Sequence, residues 1–209
     1  MAAELIQIFP QNPDPNRVEQ VIRCLKDGGI IIYPTDTVYA MGCDIYQNRA
    51  MEKLCQLKGI KLKNNNLSII CKDLSDIAAY ARVSNAAFKL MKKAFPGPFT
   101  FILPATNELP KTLQSTRKNI GIRVPDHEIP RLLVERLGNP IITASLKNEE
   151  GDVIEHPNEI DFIYEQYKHQ VDLVIDGGWC GITSSTIIDA TTDEFELVRQ
   201  GLGDLSEFL

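Results

Sequence analysis

The sequence lacks the features that mark several specialised protein classes. Its five cysteines are odd in number among 209 residues, and none forms a Cys-x-x-Cys pair. This pattern predicts reduced thiols in a cytosolic protein rather than a disulfide framework or a zinc ribbon. Because no run of about 18 apolar residues occurs, we expect no membrane span. The first nine residues show no signal-peptide pattern.

Histidine and tryptophan are also scarce. The three histidines are scattered without a His-x-x-x-His pair, which disfavours a structural zinc site. The single tryptophan, Trp179, is expected to pack inside the fold rather than to offer a stacking surface. Neither a Ser/His/Asp nor a Cys/His grouping stands out, and no Walker or Gly-x-Gly-x-x-Gly loop is present. We therefore expect neither a nucleophilic enzyme nor the common phosphate-binding loops.

Charge is distributed unevenly along the chain. Residues 1–148 contain 20 basic and 13 acidic residues, whereas residues 149–209 contain 2 basic and 15 acidic ones. Two windows without acids favour a positive concavity that attracts phosphates or carboxylates. A solvated basic face is the alternative. The first window lies between Glu52 and Asp73 and contains Lys53, Lys58, Lys61, Lys63 and Lys72; the second, Leu109–Pro125, contains Lys111, Arg117, Lys118 and Arg123.

Helical and strand-like segments alternate along the chain. One amphipathic helix is expected to begin with Asn16 as its cap and Glu19 completing a capping box, and to stop at Gly28 and Gly29. Short β-branched runs between the helices predict about seven strands, and nine at most. The fold class is therefore α/β (α+β), with a single domain over residues 1–209 and a twisted mixed sheet flanked by helices.

The most informative stretch follows the buried run 30–33. The apolar strand breaks into Pro34, Thr35, Asp36 and Thr37, and apolar residues resume at Val38. Polar side chains on a loop held by a rigid sheet are suited to binding a polar ligand. The alternative is that they satisfy backbone donors in a tight turn, as Asp and Thr often do.

Other polar residues also stand at predicted strand ends. Arg123 follows an apolar strand directly and can make a forked contact to a carboxylate or phosphate, unless it pairs with Asp126 or another acid. Thr143 and Ser145 end a further strand, and the small-residue loop before Thr186 contains Ser185. Lys58 lies at a helix end, where a cation also suits the helix dipole.

Taken in order, these motifs resemble the YrdC-like family of threonylcarbamoyl-AMP synthases. The resemblance extends from about residue 14 to residue 203 and implies a twisted mixed sheet with a positively charged concave surface. The segments that carry it are Pro34–Tyr39, Lys58–Gly59, Pro96–Thr100, Arg123–His127, Ser145, Ser185–Thr186 and Val198–Gly201.

The resemblance implies an enzyme that uses ATP, L-threonine and bicarbonate, with Mg²⁺, to make threonylcarbamoyl-AMP for tRNA modification. By position, Thr35, Arg123, Thr143 and Ser185 would hold threonine. Lys58 would be the catalytic cation that neutralises the carbamate and the α-phosphate. The nucleotide would contact Asn119, Ser145, Arg199 and one of Asn64 or Asn65.

Two positions depart from the family pattern. The family's Lys-x-Arg reads Lys58-Gly59-Ile60, so the guanidinium is absent, and its Ser-x-Asn reads Ser145-Leu146-Lys147. Lys61, Lys63 and Lys147 are the nearby cations. This altered set resembles the YciO branch and implies weak or substrate-shifted activity. The alternative is a cytoplasmic protein that binds double-stranded RNA or tRNA and has lost efficient catalysis.

Overall fold

The computed structural model describes residues 2–60, 67–110, 113, 118–146 and 159–207. Within them, one mixed α/β domain forms around a ten-stranded sheet, more strands than the seven to nine expected. The strand order is β1-β8-β2-β3-β7-β4-β6-β5-β9-β10. The strands are β1 (Glu4–Gln7), β2 (Ile31–Tyr33), β3 (Ala40–Asp44), β4 (Ser68–Ile70), β5 (Phe99–Pro104), β6 (Asn119–Arg123), β7 (Ile141–Ser145), β8 (Leu173–Asp176), β9 (Thr186–Asp189) and β10 (Glu196–Arg199).

Six α-helices lie within the same described ranges, and none is long and apolar enough to cross a membrane. A short 3-10 helix at Leu205–Glu207 follows the last strand. The helices are α1 (Pro15–Lys26), α2 (Asn48–Leu57), α3 (Leu74–Tyr80), α4 (Asn85–Ala94), α5 (Glu128–Leu137) and α6 (Ile160–Tyr167).

The expected start of α1 is wrong by two residues. Asp14, not Asn16, is the N-cap, and its carboxylate accepts a hydrogen bond from the Asn16 backbone N–H at 2.8 Å. Pro15 then occupies the first helical position, where its fixed φ and missing N–H cost nothing. The helix therefore begins at the carboxylate cap that is followed by proline, and not at the predicted capping box.

Helices cover the two faces of the sheet unequally. One face packs against α2, α3, α4 and α6 through a large apolar cluster that includes Met51, Leu54 and Met91. The opposite face carries α1 and α5, which pack on Ile31 and Tyr33 near the β2 side of the sheet. The strands farther from β2 are consequently free to present polar residues on this second face.

The segment after β10 is fastened to β9 by a buried hydroxyl. Thr186 is fully buried; its Oγ1 donates to the Gly203 carbonyl at 2.6 Å and accepts from the Gly201 N–H at 2.9 Å. The Leu202 N–H also donates to the Ser184 carbonyl at 2.8 Å. These bonds fix the position of Arg199 at the end of β10.

Replacing this hydroxyl with a methyl group tests its contribution to stability. Thr186→Val should lower the free energy of unfolding by about 1–3 kcal/mol, because the Gly201 N–H loses its partner and the Gly203 carbonyl keeps only its bond from Gln200 Nε2 at 2.8 Å. Urea denaturation followed by circular dichroism measures the change.

Thr106→Val is the matched control. Its hydroxyl also bonds two backbone groups, the Ala79 carbonyl at 2.5 Å and the Glu108 N–H at 3.3 Å, but at an exposed site. Water can replace these bonds, so the loss should stay below about 1 kcal/mol. Equal losses in the two variants would contradict the assigned role of Thr186.

Candidate active site

An open cavity of about 700 Å³ lies on the sheet face that α1 and α5 leave uncovered. It is bounded by the loop after β2, the end of α2, the end of β7, the loop before β9 and the segment after β10. Six of the residues predicted for the site from sequence line it together: Lys58, Arg123, Thr143, Ser145, Ser185 and Arg199.

A row of small residues crosses the strands beneath this cavity. Thr143 on β7 is paired in register with Gly42 on β3 and Ser68 on β4, and Ser68 is paired with Gly121 on β6. A Cβ atom at Gly42 would lie 2.6 Å from the Ile142 carbonyl oxygen, so no larger residue fits there. Of this row, Thr143 and Ser68 line the cavity, at the point where four strands lie side by side.

Tyr33 supports the hydroxyl at the centre of this row. It is fully buried, and its OH donates to Thr143 Oγ1 at 2.6 Å. Burial raises the pKa of Tyr33 well above its ordinary value, so the phenol remains protonated and able to donate. The hydrogen bond from Tyr33, beneath the sheet surface, therefore orients the Thr143 hydroxyl, which accepts from the phenol.

Arg123 is held by an ion pair with Asp36. Its Nη2 donates to Asp36 Oδ1, to Thr37 Oγ1 at 2.6 Å and to Thr35 Oγ1 at 3.3 Å. Both side chains of the ion pair are 9% exposed. The other carboxylate oxygen, Asp36 Oδ2, accepts a hydrogen bond from the Asp126 backbone N–H at 3.1 Å. The acid that pairs with Arg123 is therefore Asp36 and not Asp126.

The other guanidinium nitrogens of Arg123 are not engaged. Among the residues whose positions are described, Nε is buried without a hydrogen-bond partner, and Nη1 makes no hydrogen bond. Since Arg123 lines the cavity and its Nη2 is saturated, Nη1 is the donor left for an incoming anion. The loop thus fixes the cation and leaves one donor for a ligand.

The loop after β2 also forms the turn that the sequence allowed as an alternative. The Thr37 N–H donates to Thr35 Oγ1 at 3.1 Å, and Thr35 Oγ1 donates to the Val38 carbonyl at 2.7 Å. Thr35 is buried behind Arg123 and does not line the cavity, whereas Thr37 does. The predicted contact of Thr35 with a ligand stays a prediction.

Lys58 projects from the end of α2 toward β7. It is the C-cap residue of the helix, and its Nζ lies 3.4 Å from the Leu146 carbonyl oxygen across the cavity mouth. Ile60 also lines the cavity, but it packs against the apolar cluster beneath α2. Where the family pattern has a guanidinium, this chain therefore has an apolar wall.

Ser185 and Arg199 form the opposite wall. Ser185 Oγ lies 2.9 Å from Thr100 Oγ1, and Arg199 Nη2 donates to the Ser185 carbonyl at 2.9 Å. Arg199 consequently lies against the loop before β9. The two arginines and Lys58, distant in sequence, converge on one hollow lined with hydroxyls.

The described lining of the cavity is positive and includes neither cysteine nor histidine. Three cations and no carboxylate line it within the described part of the chain. Burial raises the pKa of the nearby Cys180 to about 12, so its sulfur is a thiol rather than a nucleophilic thiolate. No group of three or more metal-ligating side chains occurs within the described ranges. The arrangement favours binding and charge stabilisation of anions.

Several predicted residues lie elsewhere. Asn119 is exposed at the start of β6 and does not line the cavity. Lys53 lies 3.5 Å from Asp172, and Lys72 lies 3.4 Å from Glu135, so these lysines of the first basic window belong to other surfaces. Asn64, Asn65, Lys61, Lys63, Lys147, Lys111 and Arg117 are outside the described residues.

Sequence reasoning missed three contributors to the site: Tyr33, Ser68 and Thr100. Tyr33 ends an otherwise aliphatic run, which is a weak signal for a buried hydrogen bond. Ser68 is the first residue of β4 and Thr100 the second residue of β5. Neither residue by itself indicates a binding site. Their roles arise from cross-strand register, which single-chain spacing does not reveal.

Known proteins match this fold and are similar in sequence to most of this chain. Residues 23–201 match the Sua5/YciO/YrdC family model, which is described as "Telomere recombination". The uncharacterized protein YciO of Escherichia coli K12 is 40% identical over 99% of this chain and all of that protein. The crystal structure of E. coli YciO has a TM-score of 0.91, again over 99% of this chain and all of that one.

Relatives with a named activity are more distant. A threonylcarbamoyl-AMP synthase of Vibrio vulnificus is 27% identical over 89% of this chain and 99% of its own length. The structure of P. abyssi Sua5 complexed with L-threonine has 25% identity and a TM-score of 0.86, covering 97% of this chain and 59% of that one. With a family model matching most of its length and full-length similarity to YciO, the chain belongs to the Sua5/YciO/YrdC family.

Proposed function

We propose that this protein makes threonylcarbamoyl-AMP from ATP, L-threonine and bicarbonate, at a rate limited by its altered phosphate-binding residues. The observation that carries the proposal is the convergence of Lys58, Arg123 and Arg199 over a floor of hydroxyls. Relatives bear the name of this activity, and one is a complex with L-threonine. The product would serve tRNA modification.

The amino acid would occupy the side of the cavity next to Arg123. Its carboxylate would accept from Arg123 Nη1, the donor that the Asp36 pair leaves available. Thr143 and Ser185 would orient the amine. The neutral amine attacks the carbon of bicarbonate, a C–N bond forms, and water leaves to give the carbamate. Holding the reactants in line can supply about 7 kcal/mol or more of the barrier reduction.

The nucleotide would occupy the side next to Lys58 and Arg199. A carbamate oxygen attacks the α-phosphorus of ATP, and pyrophosphate leaves with the electron pair of the broken P–O bond. Lys58 would neutralise the charge on the carbamate and the α-phosphate, while Ser145 and Arg199 would contact the nucleotide. Asn119 lies outside the described lining of this cavity, so its contact with the nucleotide, like that of Asn64 or Asn65, stays a prediction from the family resemblance.

Mg²⁺ would enter with the substrate. A resident magnesium site ordinarily includes one or two carboxylates, and the described lining of this cavity has none. The residues present therefore do not fit a metal held by the protein alone. The ion would be bound by the phosphates of ATP.

The alternative of a nucleic-acid-binding protein finds less support in the geometry. The described cations of the two basic windows do not form one face, since Lys53 and Lys72 lie beside acids away from the cavity. The positive charge is instead concentrated in a hollow of about 700 Å³. Such confinement suits a small anionic substrate better than a duplex.

Removing the Lys58 cation tests the catalytic proposal. Lys58→Ala should weaken ATP binding by about 10-fold or more, as expected for loss of a charge-assisted contact, and should abolish pyrophosphate release. Calorimetry with ATP and a coupled pyrophosphate assay with threonine and bicarbonate measure the two effects. Lys118→Ala, an exposed lysine outside the cavity, is the control. Absence of ATP binding by the unaltered protein at millimolar nucleotide would refute the proposal.

Restoring the missing guanidinium tests why activity should be weak. Ile60→Arg should strengthen ATP binding by about 10-fold, because a bidentate donor then faces the phosphates. The rate of pyrophosphate release should rise with it. Ile60→Met keeps the volume without the charge and should change neither value. Equal gains in both variants would show that packing, not charge, limits the site.

Neutralising Asp36 tests how Arg123 is held. Asp36→Asn should weaken L-threonine binding by about 10-fold while ATP affinity changes less than about twofold, because the freed guanidinium loses its fixed orientation. Calorimetry with each ligand separately gives the two affinities. Asp126→Asn is the control, since only its backbone N–H contacts Asp36. Equal weakening of L-threonine binding and ATP binding would contradict a specific role of Asp36 in positioning Arg123.

A further inference from the structure

A second and larger cavity lies on the other side of the loop that holds Arg123. Its volume is about 1240 Å³, and its walls are the chain between β1 and α1, the first turns of α5 and the loop after β8. Asp126 and His127 line this cavity, whereas Arg123 lines the first. Asp36 lies between them and lines neither, so the two cavities are separate sites.

The rim of this cavity carries exposed aromatic side chains. Trp179 is 78% exposed and Phe9 is 57% exposed, so the expectation that Trp179 packs inside the fold is wrong. The backbone on either side of Trp179 is closely packed: a Cβ atom at Gly177 would meet Pro34, and one at Gly181 would meet the Thr37 carbonyl.

The loop that presents Trp179 is nonetheless fixed. Tyr39 OH donates to the Gly178 carbonyl at 2.7 Å, and the Gly178 N–H donates to Asp176 Oδ1 at 3.1 Å. On the facing wall, prolines at 10 and 13 restrict the backbone. An exposed aromatic ring on a fixed loop is a feature of binding surfaces, because it offers apolar area at little entropic cost.

The charge of this cavity is opposite to that of the first. Five carboxylates and three Lys or Arg residues line it within the described part of the chain. Lys72 lies 3.4 Å from Glu135 and 4.0 Å from Asp73, which offsets its charge, and Arg131 Nε donates to the Lys72 carbonyl. Asp126 and Glu128 are exposed at the start of α5. The described lining therefore has an excess of two carboxylates over Lys and Arg, which favours a basic partner over an anionic one.

We propose that this second cavity is a docking site for a basic, apolar-rich segment of a partner protein. Apolar side chains of the segment contact Trp179 and Phe9, and its lysines or arginines face Asp126 and Glu128. The volume exceeds the roughly 300–1,000 Å³ of ordinary small-molecule sites, which fits a stretch of polypeptide. This inference is independent of the reaction proposed for the first cavity.

Intrinsic fluorescence tests the proposal directly, because Trp179 is the single tryptophan of the chain. A short tryptophan-free peptide of alternating lysine and leucine should shift the Trp179 emission and bind saturably. The same peptide with glutamate in place of lysine, and a single-stranded RNA of similar length, should cause no shift. A shift with RNA and none with the lysine peptide would overturn the proposal.

Paired variants separate a built site from general attraction to an acidic protein. Asp126→Asn with Glu128→Gln should weaken the lysine peptide by about 10-fold, from the loss of two exposed charge contacts. Asp193→Asn with Glu194→Gln removes two exposed acids outside both cavities and should change affinity less than about twofold. Equal weakening in the two variants would overturn the proposal.

Trp179→Ala, followed by calorimetry, completes the test. Peptide binding should fall by about 10-fold, while ATP and L-threonine binding should be unchanged because Trp179 does not line the first cavity. The exposed position makes misfolding of this variant unexpected. Unchanged peptide affinity in Trp179→Ala would overturn the docking site, whatever the outcome for ATP and threonine.

Discussion

The buried ion pair between Asp36 and Arg123 is the interaction on which the candidate site depends. A guanidinium that is almost wholly buried needs a compensating charge, and Asp36 supplies it from the loop after β2. The pair joins two segments far apart in sequence and is completed by the Asp126 N–H at the start of the α5 region. Because the pair saturates one terminal nitrogen, it also decides which nitrogen can meet a ligand. The contact that compensates the buried charge therefore also sets which donor is available for the proposed ligand.

The hollow in front of this pair results from incomplete coverage of the sheet. Helices α1 and α5 pack over β2 and reach Ile141 on β7 and Ile70 on β4, but they leave the other end of these strands uncovered. Ser68 and Thr143 line the cavity there, beside Gly42 and Gly121, where a Cβ atom would meet neighbouring protein atoms. The cations then enter from the rim, where the end of α2, the end of β6 and the end of β10 meet. Secondary structure brings each cation to the rim, and loop residues then orient the two arginines: Asp36 and Thr37 hold Arg123, and the Ser185 carbonyl holds Arg199.

Local chemistry in the sequence predicted a large part of this arrangement. The β2 run, helix α4 before Pro96 and the strand end at Arg123 follow from apolar periodicity and proline, and the structure places them there. The start of α1, the short strand β1 and the exposure of Trp179 do not follow from such signals. Asp14 prevails through competition between two caps, β1 needs β8 beside it, and Trp179 is 78% exposed on a loop, although its residue type alone predicts burial. Similarly, the row through Thr143 depends on β7 lying between β3 and β4, a long-range pairing.

The two cavities for which ligands are proposed have linings of opposite net charge. An anionic substrate entering the second cavity would meet carboxylates, and a basic polypeptide entering the first would meet Lys58, Arg123 and Arg199. Each surface thus disfavours the other's ligand, which is specificity obtained by repulsion as well as attraction. The charge imbalance along the chain does not produce this arrangement. Four of the five carboxylates of the second cavity belong to residues 1–148, and Arg199 of the first cavity belongs to residues 149–209. The separation of charge is therefore set by the fold, with Asp36 and its arginine between the two cavities.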